Sequence, residues 1–107
     1  MAYAVYTTEN FEKEVGRVSA FERGIIQKVF LQLKENPYVG NSLRYRFFRE
    51  KRIREKRIYY LVYDDLNAVL VVAFGGKKAQ QETIDEIIKC LPEFRKYLEN
   101  LLKRKDK

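Results

Sequence analysis

The sequence predicts a small α+β domain: an N-terminal strand, two helices, an antiparallel three-stranded meander and a C-terminal helix kinked near Pro92. Three observations carry that expectation. Apolar residues recur at helical spacing over residues 21–33 and again over 84–102. Between these segments, over residues 45–74, the chain turns to β-branched and aromatic runs separated by turn-forming residues. At 107 residues and 46% hydrophobic content there is material for one core, so residues 1–107 are expected to form a single domain.

Residues 2–6 alternate small or apolar with aromatic side chains and read as the first strand. Thr7 or Thr8 can cap a brief helix ending at Val15, with Phe11 and Val15 four apart on one face. Ser19-Ala-Phe-Glu22 is a capping-box pattern, in which the serine and glutamate side chains satisfy each other's end-of-helix amides. The helix it opens carries Phe21, Ile25, Ile26, Val29, Phe30 and Leu33 at helical spacing. Asn36-Pro37 ends it, because proline pushes the preceding residue out of helical geometry.

The stretch 49–58 contains Arg-Glu-Lys-Arg-Ile twice in succession. As a helix it would place Ile53 and Ile58 five residues apart, off a common face, and run straight into a strand. As a hairpin, residues 47–53 form one strand, 54–56 the connection, and 57 onward the next strand. Alternation then sets Ile58, Tyr60 and Val62 on one face and Arg57, Tyr59, Leu61 and Tyr63 on the other. Asp64-Asp65-Leu66-Asn67 supplies turn chemistry, and residues 68–74 form an apolar strand buried on both faces. Gly75-Gly76 is expected to break that strand, and a helix begins between Ala79 and Thr83 with Ile84, Ile87, Ile88 and Leu91 on its apolar side. It kinks or restarts at Pro92, which suits the first turn of a continuation through Phe94, Leu98, Leu101 and Leu102. Residues 103–107 are expected to be a disordered basic tail.

The formal charge is +7, and it is unevenly placed. Eight basic residues between Arg44 and Arg57 are opposed only by Glu50 and Glu55, a concentration that favours a polyanionic partner through counterion release. The longest apolar run, residues 68–74, is far short of the ~20 residues a membrane helix needs, so a soluble, cytoplasmic protein without a membrane partner is expected. With no histidine and one cysteine, the common zinc clusters cannot be assembled, no metal or cofactor is expected, and Cys90 reads as a small buried hydrophobe. Gly75-Gly76-Lys77-Lys78 lacks the spacing of a nucleotide-binding P-loop and is followed by alanine, so a small-molecule substrate is not expected.

Several residues in this order resemble the RelE/ParE toxin superfamily, the toxin halves of bacterial and archaeal type II toxin–antitoxin pairs. They are Asn36-Pro-Tyr-Val-Gly40 after the helix, Arg52-Ile-Arg-Glu-Lys-Arg57 across a hairpin, Tyr59-Tyr60, and Gly76-Lys77-Lys78 at the end of a buried strand. The resemblance covers residues 1 to about 90 and implies a RelE-like fold. It also implies a RelB-like cognate antitoxin and, for the RelE branch, ribosome-dependent cleavage of mRNA without metal. That chemistry needs groups that stabilise a doubly charged phosphorane-like transition state and groups that move two protons.

Carried over by position, Arg52, Arg57 and Lys78 are the implied grip on the scissile phosphate; in place of the family's own proton-moving groups, the candidate general base is Glu50, or Lys51 if a bulge reverses the strand face. Arg49, Arg54, Lys56, Lys77 and Gln81 are candidate RNA contacts, and Tyr59 is a candidate base-stacking ring. Where ribonucleolytic relatives carry two lysines before the first arginine, this chain has Phe48 and Glu50, with Arg49 and Lys51 expected on the opposite face. Where they carry a tyrosine at the start of the last helix, it has Ile84 beside Thr83. Two alternatives therefore stay open: a ParE-like toxin that binds gyrase, and a catalytically degenerate module that binds RNA or a partner.

Overall fold

The computed structural model describes residues 2–105. Its elements run β1 (Ala4–Thr7), α1 (Glu9–Val15), α2 (Ala20–Glu35), β2 (Asn41–Ser42), β3 (Phe48–Ile53), β4 (Lys56–Tyr63), β5 (Ala68–Gly76), α3 (Gln80–Lys89) and α4 (Leu91–Lys105). The strands form one five-stranded sheet in the order β1-β5-β4-β3-β2, antiparallel except for the β1–β5 pair. The expected α+β class and meander are present.

Local chemistry accounts for the helix starts. Thr8 caps α1 by accepting from the Phe11 amide at 3.1 Å, and Ser19 caps α2 by accepting from the Glu22 amide at 3.2 Å. The sheet is covered on both faces. On one side α1 and α2 bury Phe11, Val15, Ile26, Val29 and Leu33 against Ile53, Ile58, Tyr60, Val62, Val69 and Val71. On the other, α3 and α4 cover Phe48, Tyr59, Leu61, Leu70 and Val72, with Ile87 and Leu98 fully or almost fully buried. Each large apolar side chain so buried contributes roughly 1.5–3 kcal/mol.

The register of β5 against β4 slips once: Tyr59 pairs with Ala73 and Tyr60 with Val71, leaving Val72 as the extra residue of a bulge. Val72 and Ala73 both join the α3/α4 side, and Phe74 is returned to the α1/α2 side, edge-on to Phe11.

Four expectations need correction. The strand does not break at Gly75-Gly76 but continues through them, because they pair with Arg57 and Lys56. The strand β2 is additional to the expected meander. Cys90 is half-buried rather than in the core, with its Sγ 3.7 Å from Glu86 Oε1. Residues 103–105, expected to be disordered, are the last turn of α4, while 106 and 107 lie outside the described residues. The interruption near Pro92 takes the form of a break between α3 and α4 at Cys90, with Pro92 in the first turn of α4. Among the described residues no helix is long and apolar enough to cross a membrane.

Candidate active site

The β3–β4 hairpin closes through two residues, Arg54 and Glu55, with Ile53 paired to Lys56 and Arg54 in the left-handed region at φ 57°. The connection is thus one residue shorter than expected. Its register pairs Arg52 with Arg57, Glu50 with Tyr59 and Phe48 with Leu61, so all six side chains share the α3/α4 side of the sheet. Two arginines directly opposite one another repel, and an anion between them would relieve that cost.

Beside this pair lies a cleft of about 380 Å³ lined by Arg52, Glu55, Lys56, Arg57, Gly76, Lys77 and Lys78. The strand continuing through Gly75 and Gly76 delivers the two lysines to it, in a 3-10 turn (Lys77–Ala79) that leads into α3. Five cations against Glu55 make this a place for an anion of phosphate size and charge.

Behind the cleft the hairpin carries a partly closed polar cluster. Arg57 Nε lies 3.5 Å from Glu50 Oε1, both side chains being nearly buried at 11% and 12% exposure. The separation qualifies as an ion pair but not as a good hydrogen bond. Gln80 Nε2 donates to the same Glu50 oxygen at 3.1 Å. Tyr59 is fully buried, and burial, with the Glu50 charge nearby, pushes its phenol pKa up. Among the described residues nothing hydrogen-bonds Tyr59 Oη or Arg57 Nε. Gln80 was not singled out by the sequence. Its only signal there was its place in the Lys77-Lys78-Ala-Gln-Gln81 run.

The other candidates divide sharply. Lys51 falls on the opposite side of β3, as alternation predicts, and the bulge that would have reversed its face occurs in β5 instead. It is not brought to the arginine pair. Arg49 is on that opposite side too, and its guanidinium is held by backbone carbonyls. Nε and Nη2 donate to Gly40 O, Nη2 to Tyr38 O and Nη1 to Arg46 O, at 2.7–3.1 Å. Arg54 lies over the Phe21 ring at 5.4 Å. Lys56 lines the cleft, yet its ammonium sits 5.4 Å from the Phe74 ring centre on the α1/α2 side. Gln81 is exposed and donates to Asp85 at 3.0 Å. Tyr59 cannot stack on a base while fully buried, a correction to its expected role: α3 and α4 cover the ring. Thr83 lines a different cleft, between α1 and α3, with Glu14, Glu82 and Glu86.

The motif around Gly40 has a steric reason. Gly40 N donates to the Tyr60 hydroxyl at 3.0 Å, and a Cβ at Gly40 would run into Glu50 O and Tyr60 Oη. Glycine here lets the loop after α2 lie against β3, placing its carbonyls under Arg49.

No family model and no curated protein matches the chain. Solved structures do. A double arginine-to-alanine mutant of the E. coli toxin RelE in the free state superposes with a TM-score of 0.71 at 27% identity, covering 83% of this chain and 97% of that one. The toxin in the intact E. coli RelBE toxin–antitoxin complex gives 0.65 at 21%, covering 71% and 98%. The toxin–antitoxin complex RelBE2 of Mycobacterium tuberculosis gives 0.64 at 17%, covering 72% and 100%. These superpositions extend over nearly the whole of each RelE-type chain, so this chain has the RelE fold and is similar to the RelE-like toxins.

Proposed function

We propose that this chain is the toxin of a type II toxin–antitoxin pair and a ribosome-dependent, metal-independent endoribonuclease acting on mRNA. The observation that carries the reading is the meeting of Arg52, Arg57 and Lys78 at one cleft, drawn from two strand ends and a turn. In the reaction the 2′-oxygen attacks the adjacent phosphorus, the bond to the 5′-oxygen breaks, and a 2′,3′-cyclic phosphate and a 5′-hydroxyl result. Arg52 and Arg57 bracket the phosphate and stabilise the charge that builds on its non-bridging oxygens. Lys78 or Lys77 supplies a proton to the departing 5′-oxygen. Glu50, the remaining candidate base, accepts the 2′-hydroxyl proton once the phosphate takes its place on Arg57.

The RelE-type chains it resembles occur in complexes with RelB-type antitoxins, which supports a cognate antitoxin as its partner. An antitoxin segment bearing carboxylates over the cleft would neutralise the same cations that hold RNA.

One observation favours a second reading, a module that grips RNA without cutting it. Phe48 is fully buried and Glu50 is paired with Arg57, at the positions where the resemblance calls for lysines. Primer extension on mRNA from cells expressing the chain separates the two. New cleavages that disappear in Arg57→Ala support the nuclease, while salt-sensitive RNA binding without cleavage by folded protein supports the second reading. Intact mRNA together with inhibited gyrase supercoiling would replace both with the ParE-like alternative.

A further inference from the structure

The loop between β2 and β3 reads Arg44-Tyr45-Arg46-Phe47, cations alternating with aromatics, and it lies at the other end of β3 from the cleft. Tyr45 and Phe47 are 41% and 36% exposed, whereas Phe48, the next residue, is fully buried. Their rings stack on each other, centroids 5.1 Å apart and planes within 7°. Stacked on each other at the surface, the two rings keep part of their area open to solvent.

The loop is held in this shape. Leu43 N donates to Phe48 O at 2.8 Å, Phe48 N to Tyr45 O at 3.1 Å, Val62 N to Phe47 O at 2.8 Å, and Arg49 Nη1 to Arg46 O at 2.9 Å. A pre-organised loop loses little entropy when a ligand lands on it. The chemistry of that ligand follows from the charge. Residues 36–49 contain no carboxylate and carry Arg44, Arg46 and Arg49. The exposed Arg44 is free to meet a phosphate, while Arg46 also stacks on Tyr38 at 4.4 Å. Flat aromatic faces interleaved with cations match single-stranded nucleic acid, whose bases stack and whose phosphates pair.

We propose that Tyr45 and Phe47 form a base-stacking platform for single-stranded RNA, a second contact separate from the arginine cleft. The two lie about 17 Å apart along β3, from five residues at roughly 3.4 Å each. An RNA strand touching both would be held at two points, and the platform would set its register over Arg52 and Arg57.

The test uses the full-length chain and a fluorescein-labelled 2′-O-methyl oligoribonucleotide, which lacks the attacking hydroxyl and cannot be cut. Tyr45→Ala combined with Phe47→Ala should weaken binding about tenfold, the low end of what two stacked bases contribute. Tyr45→Phe should bind as the parent does. Arg44→Gln should reduce the slope of log affinity against log salt by about 0.7, one phosphate contact on a single strand. A 2-aminopurine in the oligomer should be quenched on binding to the parent and not to the double alanine variant. Arg57→Ala reports on the cleft alone, so a change there with none in the double variant overturns the platform and leaves the cleft reading intact. Unchanged RNA binding, with loss of concentration-dependent self-association in the double variant, would make this a protein-contact surface and also overturn it. Matching melting temperatures of the variants exclude unfolding as the cause of any loss.

Discussion

Arg49 and Arg57 sit in the same hairpin, on neighbouring strands and opposite faces, and the fold treats them in contrary ways. Arg49 makes four hydrogen bonds to the carbonyls of Tyr38, Gly40 and Arg46 and lies 5.2 Å from the centre of the Tyr38 ring. Arg57 has one carboxylate at 3.5 Å and a buried Nε that nothing among the described residues hydrogen-bonds. A guanidinium with its donors used up holds loops together. One left short of partners, facing a cleft of cations, is ready to exchange its carboxylate for another anion.

The sharpest way to break this comparison is to truncate both. Arg57→Ala should lower cleavage by about 100- to 1000-fold, the usual loss when one transition-state donor is removed. That is far more than the drop in the urea midpoint from leaving Glu50 with Gln80 as its donor accounts for. Arg49→Ala should do the reverse, costing about 2–4 kcal/mol in urea titration, because the Tyr38 and Gly40 carbonyls lose a charged donor. If Arg49→Ala destroyed cleavage in a fully stable protein, the division between the two would fail. Gly40→Ala tests the same division from the carbonyl side. A Cβ would collide with Glu50 O and Tyr60 Oη, so roughly 1–3 kcal/mol should be lost, through displacement of β3 and the Tyr60 bond.

These distinctions explain what the sequence could and could not reveal. The faces of the hairpin were legible because alternation is a property of the strand itself, and it placed Arg57 and Tyr59 together and Lys51 apart. The caps at Thr8 and Ser19 were legible because their partners lie three residues away. The role of Arg49 was not, since its identity matches Arg52 and its partners are carbonyls three to eleven residues distant, in a loop shaped by Gly40. Burial of Tyr59 depends on α3 and α4 covering the sheet, a tertiary event that a strand pattern does not encode. The strand β2 is two exposed residues with no apolar signal, and the Val72 bulge appears only as a shift of pairing.

The loop beneath Arg49 is also anchored by a carboxylate, which makes its contribution sensitive to pH. Asp64 accepts from Tyr38 Oη at 2.6 Å and from Tyr3 Oη at 2.7 Å, and these bonds hold its pKa below the ordinary 3.8. Its folded pKa being depressed, its contribution is present above about pH 4 and disappears as pH falls through the folded value. Burial, then the bond to Asp64, pushes the Tyr38 pKa up from 10.0 to about 12. A raised folded pKa means the contribution is complete below pH 10 and is lost between about 10 and 12. Stability measured against pH should therefore sag at both extremes. Asp64→Asn should flatten the acid limb and Tyr38→Phe the alkaline one, while a mid-range sag in the parent would contradict the assignment.

Arg54 offers the smallest and most discriminating test, because it is the hairpin arginine whose side chain neither saturates carbonyls nor faces the cleft pair. Its backbone is left-handed at φ 57°, a conformation that costs a non-glycine residue roughly 1–2 kcal/mol. Its guanidinium recovers part of that over the Phe21 ring, about 0.5–1 kcal/mol for an exposed pair. Asparagine tolerates the left-handed region, as Asn67 does at φ 48° in the β4–β5 turn, without the added chain entropy of glycine. Arg54→Asn should thus raise stability by a few tenths of a kcal/mol, about 1–3 °C in melting temperature, and leave cleavage intact. A fall in melting temperature would show that the Phe21 contact outweighs the backbone cost. Lost cleavage in a protein at least as stable would move Arg54 beside Arg57, since Arg52 Nε donates to Arg54 O at 3.0 Å and the turn backbone helps aim it.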